Sequence, residues 1–504
     1  MKKAKVLLIT PNLKGIADGV NRIQPSLGLM LIAAVLEKNG HKVKIYDAAL
    51  DGWDNRKMLD EKNKIVMIGQ SDEKISKVIS DFSPDIAAIS VLFSNLLESA
   101  HNIAKLIKKV KKNTVTVLGG NHISSAVTDY NISKLDKNSG LPDYISDIEN
   151  NHFDYGMTGE GEFSFLDFTN KIINNEDVSK VHGLVKKINP GKYIINASTR
   201  VHNLDILPRP ARHLVDMEAY FKIGAFHSAK SRSNRVLSVM CSRGCPEKCT
   251  FCSTPQMWGN NIRWRSTKHI MEEVGNDVKD YKIGEIQFDD DTITVSKKNL
   301  YSLCDELEKL GLPWCTPNGT KVNYHFKKQE EMYKKMYDSG CYQITLACES
   351  GVQRVLDDII HKRLPLDTIY PSIENAKKAG MLVHTFWIVG YPGETYEEIQ
   401  QTVDFAMNSG ADSFSFAILS PLPGTPVYRK VIKENLWWEG RCLDDMLFRS
   451  SLVKVDGFNN PDEFEKFVNE ANKKANLLLK KENPKRFEYK YGKNSLDSAL
   501  VKQT

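Results

Sequence analysis

Three cysteines in one short segment are the residues best suited to chemistry. Cys245, Cys249 and Cys252 stand in the spacing C-x3-C-x2-C, within the segment CSRGCPEKCTFCS. Three thiolates can hold a four-iron cluster and leave one iron open to a small ligand, which a fully ligated electron-transfer cluster does not bind readily. The spacing therefore predicts a redox-active 4Fe-4S cluster with one open iron.

A zinc site is the main alternative for these cysteines. Zinc usually takes ligands in two C-x2-C-like pairs that a dozen or more residues separate, and no second pair occurs in this chain. Cys241 offers a further thiol, but we expect it at a strand end, as a core thiol or a neighbour of the cluster. Buried thiols are the ordinary interpretation of the scattered cysteines, which are Cys304, Cys315, Cys341, Cys348 and Cys442.

The first 160 residues alternate strand and helix patterns. Helical spacing falls at 27–39, which ends before Gly40, and at 101–111. Such repetition implies a parallel sheet with helices on both faces, which is a Rossmann-like α/β domain over residues 1–160. Ligands of such domains bind at the carboxyl ends of the strands. The strand patterns lie at 6–10, 42–46, 85–90, 114–118 and 154–157.

A second strand–helix series covers residues 235–430 and predicts a partial (β/α)6 barrel of the TIM type. Its functional groups are expected at the carboxyl-terminal mouth. Residues 161–234 are interpreted as a linker that packs against both neighbours, with a hairpin near 181–195. Residues 431–504 are interpreted as a C-terminal helical extension, with a helix at 461–481 and a polar, frayed end. The barrel strands are expected at 236–240, 285–288, 314–319, 343–347, 382–389 and 412–419, with helices such as 327–339 and 369–379 between them.

The cysteine segment resembles the signature of a known superfamily. Residues 242–252 (SRGCPEKCTFC) resemble the signature of the radical S-adenosylmethionine superfamily, and residues 243–246 (RGCP) resemble its cobalamin-binding branch. The resemblance covers roughly residues 1 to 430. It implies that the amino and carboxylate groups of S-adenosylmethionine chelate the open iron, and that reduction of the cluster then releases a 5′-deoxyadenosyl radical.

Four later motifs follow the cysteines in the order of the same branch. QFDDDTIT at 287–294 resembles F-x-D-D, ESG at 349–351 resembles E-S-G, and GYPGET at 390–395 and PLPGTP at 421–426 resemble the turns after the fifth and sixth strands. Each alone is a turn signal, so a solvated acidic loop and purely structural glycines stay open as alternatives. The resemblance implies S-adenosylmethionine contacts from Phe251, Asp290, Asp291, Glu349, Ser350 and Gly390.

Small residues end two predicted strands of the first domain. Ser90-Val91-Leu92 ends one strand and Gly119-Gly120 ends the next. A Gly-Gly at a strand end is usually a turn, but this arrangement resembles the cobalamin-binding fold, in which small residues line a slot for the nucleotide tail. The resemblance implies cobalamin contacts from Asn12, Ser90, Leu92, Gly119 and Gly120.

The loop after the first strand departs from the cobalamin pattern. Cobalamin domains often carry D-x-H-x-x-G there, with the histidine ligating cobalt, whereas residues 10–15 are TPNLKG. Three alternatives stay open: cobalt without a protein ligand, water below the cobalt, or a domain that no longer binds cobalamin. The GEGE sequence at 159–162 resembles the turn that closes the domain in this branch, for which we expect a structural role.

The two modules together predict a methylase that acts on an unactivated carbon. The radical would abstract hydrogen from the substrate, methylcobalamin would donate the methyl group, and a second S-adenosylmethionine would restore the donor, while the protein positions the cofactors. No catalytic residue is assigned, although His384, Trp387 and Tyr391 near the fifth strand are candidates to face the substrate.

Three other functions are weighed against the methylase. A cobalamin-dependent ring cyclase or rearrangement enzyme would share every motif named above. A methylthiotransferase would need cysteines in the first domain, and none precedes Cys241. A non-enzymatic cobalamin or redox sensor would not need the motifs at Glu349, Gly390 and Pro421.

Composition sets the remaining expectations. The 504-residue chain has 69 basic and 63 acidic residues, a net charge of +6, and its basic runs at 105–112 and 473–493 are interpreted as solvated faces rather than nucleic-acid sites. No stretch approaches the roughly 20 apolar residues of a membrane span. We therefore expect a cytoplasmic protein that binds neither nucleic acid nor membrane. The family resemblance implies a small-molecule substrate and an external low-potential electron donor.

Overall fold

The structure is a computed structural model that describes residues 2–17, 19, 21–228, 231–447 and 449–482. The last twenty residues, expected to form a polar, frayed end, lie outside these ranges. So do the second half of the basic run at 473–493 and the end of the extension expected over 431–504.

A seven-stranded sheet organises the N-terminal part, in the order β10-β9-β8-β7-β6-β1-β3. Five of its strands, from β8 to β3, pair in parallel. The chain runs from β1 to β3 on one side and through β6, β7 and β8 on the other, so the strand order reverses between β1 and β6. The strands are β1 (Lys5–Thr10), β3 (Lys42–Asp47), β6 (Ile86–Ser90), β7 (Val115–Gly119), β8 (Tyr155–Met157), β9 (Leu184–Asn189) and β10 (Lys192–Ile195).

Both faces of this sheet are buried because side chains alternate along each strand. Leu7 and Ile9 join the core on one face, and Val6 and Leu8 join the core on the other. The Rossmann-like prediction is therefore confirmed. The covering helices are α1 (Leu27–Lys38), α2 (Ala48–Asp51), α3 (Asp72–Phe82), α4 (Leu97–Val110), α5 (Asn121–Leu135), α6 (Ser146–Glu149) and α7 (Gly161–Asn174).

Two parts of this domain differ from the sequence expectation. Residues 161–195 do not form a linker, because α7 packs on α1 and the expected hairpin, β9 and β10, extends the sheet antiparallel to β8. The loop after β1 enters a small antiparallel sheet that was not predicted from the sequence, since its strands are short and β4 is largely exposed. These strands are β2 (Leu13–Ile16), β4 (Arg56–Asp60) and β5 (Ile65–Ile68).

Residues 196–228 and 231–234, the rest of the segment interpreted as a linker, make contacts to both halves of the chain. The Ala211 amide donates to Met30 O in the first domain. The Arg212 guanidinium donates to Ser238 O and lies 2.9 Å from Asp277 in the second. The described residues of this segment include the short helix α8 (Met217–Ile223).

Six parallel strands form the second sheet, in the order β11-β14-β15-β16-β17-β18. The sheet is open between its first and last strands, which confirms the partial barrel. The loop after β11 carries its own two-stranded ribbon, in which β12 pairs with β13. The strands are β11 (Val236–Val239), β12 (Ser242–Arg243), β13 (Arg263–Trp264), β14 (Glu285–Phe288), β15 (Trp314–Lys321), β16 (Cys341–Glu349), β17 (Leu382–Val389) and β18 (Ser413–Ile418).

Helices surround this barrel, and the last of them covers the final strand. Asn472 accepts from the Phe416 amide at 3.0 Å and donates to the Phe416 carbonyl at 3.0 Å, which satisfies backbone groups at the sheet edge. No helix of the described residues has the length and apolarity of a membrane span. The helices are α9 (Thr254–Met257), α10 (Thr267–Tyr281), α11 (Lys297–Leu310), α12 (Gln329–Asp338), α13 (Ile369–Lys378), α14 (Tyr396–Met407), α15 (Pro426–Lys433) and α16 (Pro461–Glu482).

Candidate functional site

The three cysteines of the C-x3-C-x2-C spacing lie together on the loop that follows β11, at the carboxyl-terminal mouth of the barrel. All three are free and partly exposed. The pKa of Cys245 is raised to about 12 and that of Cys249 to about 11, mainly by burial and in part by the charges of the neighbouring cysteines. A bound cation would offset the free energy needed to ionise these buried thiols, because metal coordination deprotonates thiols.

The donor set suits a cluster better than a single ion. Among the described residues, no three His, Cys, Asp or Glu side chains converge closely enough to hold one metal ion. Ligands to three separate irons of a cubane do not have to converge on one point. Cys241 is fully buried, so it does not share the partly exposed position of the other three.

Asp290 holds the start of the cysteine loop in place. Its carboxylate accepts from the backbone amides of Cys241 at 3.0 Å and Ser242 at 2.6 Å, and from the Ser242 hydroxyl. Burial raises the pKa of Asp290 to about 7, and these donors act in the opposite direction. The carboxylate predicted to contact S-adenosylmethionine is thus engaged with the cysteine loop, and so is the neighbouring Asp291, which accepts from Thr254 Oγ1 at 3.0 Å, two residues after Cys252.

A buried ion pair lies beside Cys249. Glu349, at the end of β16, has a φ of +68°, and its carboxylate contacts Lys362 Nζ at 2.9 Å. Both side chains are buried. The Lys362 charge acts to lower the pKa of Cys249, against burial. Lys362 is not predictable from the sequence, since the HKR sequence at 361–363 has no motif that separates a buried lysine from a surface one.

The other predicted S-adenosylmethionine residues surround the same mouth. The Phe251 ring packs on Tyr391 at 6.0 Å between centroids, and Ser350 Oγ lies 3.1 Å from Thr402 Oγ1. Gly390 has a φ of +87°, and a Cβ there would lie 2.6 Å from the Phe464 ring, so its glycine is explained by close packing. Its amide donates to Glu394 at 2.7 Å.

Several buried polar atoms at the mouth have no hydrogen-bond partner within the described residues. They belong to the segments that follow β14 and β15. Buried polar groups are normally paired, so these atoms fit contacts to a polar ligand such as S-adenosylmethionine or a substrate. The atoms are Thr292 Oγ1, Thr294 Oγ1, Asn323 Oδ1 and His325 Nε2.

The predicted cobalamin residues gather at the strand ends beside the point where the strand order reverses. Ser90 and Gly119 are paired neighbours on β6 and β7, and Leu92 is 50% exposed. Ligands of open α/β sheets bind at this position. A Cβ on Gly119 would meet nothing in the described chain nearer than Ile89 O at 3.9 Å, so the open space beside it fits a bound group.

Asn12 and Gly120 are instead engaged with their own domain. The Asn12 amide donates to Gln70 O at 2.9 Å and accepts from the Gln70 amide at 3.0 Å. Gly120 has a φ of +100°, and a Cβ there would lie 2.4 Å from Val91 O. Both residues therefore shape the loops that border the open space.

Direct contacts join this strand-end region to the cysteine loop. The side-chain amide of Asn121 donates to Ser253 Oγ at 3.1 Å. Asn121 follows Gly120 in the sequence, and Ser253 follows Cys252. Glu160 and Glu162, in the GEGE turn, bind Arg243. The sequence analysis contained this turn and Arg243 but not their pairing, because charge type alone does not show which of many opposite charges is the partner.

Two family models match the chain. The radical SAM superfamily matches residues 239–406, and the B12 binding domain matches residues 13–136. The two ranges fall within the open barrel and the N-terminal domain respectively.

Individual proteins extend the similarity to nearly the whole chain. A cytidylyl-2-hydroxyethylphosphonate methyltransferase from Streptomyces wedmorensis is 33% identical over 94% of this chain and 90% of its own length. An anaerobic magnesium-protoporphyrin IX monomethyl ester cyclase from Rubrivivax gelatinosus is 24% identical over 72% of this chain and 61% of its own length.

The fold is also that of a solved structure. The radical S-adenosylmethionine methyltransferase TsrM from Kitasatospora setae, solved with cobalamin and a [4Fe-4S] cluster bound, superimposes with a TM-score of 0.62 at 16% identity, over 84% of this chain and 77% of that one. Three observations indicate the same family. They are the cysteine loop at the barrel mouth, the open strand ends of the first domain and the full-length similarity. The chain therefore belongs to the cobalamin-dependent radical S-adenosylmethionine methyltransferases, enzymes that use a 4Fe-4S cluster, S-adenosylmethionine and cobalamin.

Proposed function

We propose that this enzyme methylates an unactivated carbon of a small molecule bound between the barrel mouth and the first domain. One observation carries the proposal: the hydrogen bond from Asn121 to Ser253 joins the residue after Gly120 to the residue after Cys252. The region proposed to hold the methyl donor and the loop proposed to hold the cluster are thus neighbours in the structure. A substrate carbon between them would be within reach of both.

Cys245, Cys249 and Cys252 are proposed as the ligands of the 4Fe-4S cluster. When bound, the cluster and S-adenosylmethionine supply the radical that abstracts hydrogen from the substrate. The protein contributes position and shielding. Asp290 fixes the start of the cysteine loop, and the Lys362–Glu349 ion pair places one positive charge near Cys249.

The contacts to S-adenosylmethionine are proposed by position. Phe251 lies within the cysteine loop and packs on Tyr391, while Asp291, Glu349, Ser350 and Gly390 follow strands that end at the mouth. Asp290 remains among the proposed S-adenosylmethionine residues because it anchors the cysteine loop. The unpartnered atoms of Asn323 and His325 lie in the segment after β15 and are added as polar groups for the cofactor or substrate.

Cobalamin is proposed to bind at the strand ends that carry Ser90, Leu92 and Gly119, with Asn12 and Gly120 shaping the bordering loops. When bound, it supplies the methyl group. The loop after β1 has no histidine, so we propose that the 10–15 segment does not ligate cobalt.

The substrate is proposed to enter the lumen of the open barrel. Along β17 and β18, fully buried and partly exposed residues alternate, so one face of each strand borders accessible space. His384 lies on that face, with Nδ1 2.7 Å from Ser413 Oγ and Nε2 3.3 Å from Ser415 Oγ. These groups offer hydrogen bonds to a polar substrate. Trp387 is fully buried and packs on Phe405, which supports a core role for it.

The cellular setting is part of the proposal. All nine cysteines are free, which supports a reducing compartment such as the cytoplasm. We propose that an external low-potential donor reduces the cluster and that nucleic acid takes no part.

The test is product analysis with anaerobically reconstituted protein, S-adenosylmethionine, cobalamin and a strong reductant. The first substrate to try is cytidylyl-2-hydroxyethylphosphonate, which the name of the Streptomyces relative gives as that enzyme's substrate. Methyl transfer predicts a product heavier by one methylene group, with S-adenosylhomocysteine and 5′-deoxyadenosine in equal amounts. The matched control is Cys249→Ala, which should abolish 5′-deoxyadenosine.

Ring formation without methyl transfer is the second candidate, and the similarity to the Rubrivivax cyclase favours it. It predicts 5′-deoxyadenosine without S-adenosylhomocysteine and a product without the added methylene. A screen in which no substrate ever yields both co-products would therefore reject the methylase in favour of this reaction.

A further inference from the structure

A buried ion network joins the cysteine loop to the N-terminal domain. Arg243 lies two residues before Cys245, and its guanidinium contacts Glu160 at 2.8 Å and Glu162 at 2.5 Å. Arg263 contacts Glu160 at 2.5 Å. All four side chains are at least nine-tenths buried, with exposed fractions between 0 and 9%. Two positive and two negative charges balance, so no charge is buried unpaired.

The network belongs to two different domains. Glu160 precedes helix α7, which follows β8 of the first sheet and packs on α1, and Glu162 lies in the first turn of that helix. Arg243 and Arg263 lie on β12 and β13, the ribbon of the cysteine loop. Trp258 lies against the Arg243 guanidinium at 4.7 Å and closes the network on the loop side.

Successive residues of β12 are fixed to opposite partners. Ser242 is bonded to Asp290 of the barrel, and Arg243 is bonded to Glu160 and Glu162 of the first domain. Side chains of a strand alternate between its two faces, so a two-residue strand is sufficient to reach both. At the other end of the loop, Ser253 is bonded to Asn121.

We propose that Arg243, held by Glu160 and Glu162, is a positioning residue that sets the separation between the cluster and cobalamin. A planar guanidinium whose two terminal nitrogens bond two different carboxylates fixes both distance and orientation, which a single flexible ammonium group does not. The expected effect on methyl transfer rests on the proposed function, whereas the expected effect on the separation between cluster and cobalamin does not.

The experiment uses full-length protein reconstituted with cluster and cobalamin, in the variants Arg243→Lys and Glu162→Gln. Arg243→Lys keeps the charge and loses the planar guanidinium. Glu162→Gln keeps the size and weakens one contact. The matched control is Asp277→Asn, because Asp277 is also a fully buried carboxylate between two arginines, Arg209 and Arg212, but it does not touch the cysteine loop.

Two quantities are measured. The first is the electron spin relaxation of cobalt(II) cobalamin in the presence of the reduced cluster, which depends on their separation and needs no substrate. The second is the ratio of methylated product to 5′-deoxyadenosine. We expect both variants to keep iron, cobalamin and 5′-deoxyadenosine formation, to alter the relaxation enhancement, and to lower the product ratio about tenfold or more, because small displacements of reacting groups are costly.

Three results would overturn the proposal. One is an unchanged relaxation enhancement in both variants, another is an unchanged product ratio with altered relaxation, and the third is an equal effect in Asp277→Asn. If the wild-type enzyme makes no methylated product, the proposed function fails, and the relaxation measurement alone decides this inference. Should Arg243→Lys not fold, Glu162→Gln decides, since it leaves Glu160 and both arginines in place.

Discussion

Asp290 accepts two hydrogen bonds from Ser242, one from its backbone amide at 2.6 Å and one from its hydroxyl group. With the bond from the Cys241 amide, one carboxylate after β14 holds the chain where it leaves β11. The two strands are already paired in parallel. The Asp290 side chain thus adds a further link between β11 and β14 at the point where the cysteine loop begins.

Replacement of this carboxylate should loosen the loop. In Asp290→Asn one oxygen becomes an NH2 group that faces donors, so at least one buried donor loses its partner at a cost of about 1–3 kcal/mol. We expect lower iron content after reconstitution and a lower free energy of unfolding. Iron analysis and anaerobic urea unfolding measure the two effects.

Asp289→Asn is the matched control for this change. Asp289 is the adjacent carboxylate, and its side chain bonds His227 at 3.1 Å rather than the cysteine loop. Equal loss of iron in both variants would contradict the role assigned to Asp290.

The partners of Asp290 show where prediction from the sequence ends. The family resemblance implies S-adenosylmethionine contacts from Asp290 and Asp291, which follow a strand end where ligand sites lie. The strands themselves are predictable, since β14 alternates polar and apolar residues and β17 is a largely apolar run. The partners of Asp290, however, are backbone amides more than 40 residues away, and any residue type supplies a backbone amide.

The same limit applies to Arg243 and Lys362. Arg243 stood in the recognised motif, but its partners Glu160 and Glu162 precede it by some 80 residues. Lys362 contacts Glu349 after a π-helical turn, Val355–Ile360, whose extra residue per turn is not visible in the hydrophobic pattern. Local periodicity predicted the elements, whereas long-range charge pairing had to be seen in the structure.

Cysteine replacements should separate the three proposed ligands from Cys241. Cys245→Ala, Cys249→Ala and Cys252→Ala should each lower iron and sulfide content and abolish cleavage of S-adenosylmethionine. Cys241→Ala should keep the cluster, because Cys241 is fully buried and a buried free cysteine behaves as a small apolar side chain. Iron and sulfide analysis with low-temperature EPR measures both. Loss of the cluster in Cys241→Ala would return this residue to the ligand set.

Two adjacent glycines test the proposed cobalamin site with opposite expectations. Gly119→Ala should leave the stability of the cobalamin-free protein unchanged, because its Cβ meets nothing nearer than 3.9 Å. It should weaken cobalamin binding if the open space holds the cofactor. Gly120→Ala should destabilise the cobalamin-free protein, because the residue has a φ of +100° and its Cβ would lie 2.4 Å from Val91 O.

The measurements are thermal unfolding without cobalamin and equilibrium binding of hydroxocobalamin. Gly119→Ala with unchanged affinity would place the cofactor elsewhere. A Gly120→Ala protein as stable as the wild type would show that the strand end relaxes without strain.

Glu394 predicts a pH dependence of stability. Burial raises its pKa to about 8, against the amides of Tyr391 and Gly390, which act to lower it. In the unfolded chain the group ionises at the ordinary value of a glutamate, so the folded state retains a proton that the unfolded state has lost. The free energy of unfolding therefore falls as pH rises from about 4.3 towards 8, and this contribution is constant above that range.

Glu394→Gln should remove this slope. Glutamine still offers an oxygen to the Gly390 and Tyr391 amides, which donate to Glu394 in the native chain at 2.7 and 3.0 Å, and it cannot ionise. Near pH 5 the two proteins should be similar, since both then carry a neutral side chain. Near pH 9 the variant should be more stable by up to a few kcal/mol, because one pKa unit is worth about 1.4 kcal/mol.

Anaerobic urea unfolding across this pH range measures the difference between the two proteins. Asp290 and Asp129, whose pKa values burial raises to about 7 and about 6, contribute slopes of the same sign. Both carboxylates are present in both proteins, so their contributions cancel in the difference. A difference that does not change with pH would show that the Glu394 carboxyl is ionised throughout, with its charge stabilised by the two backbone amides and by Arg354.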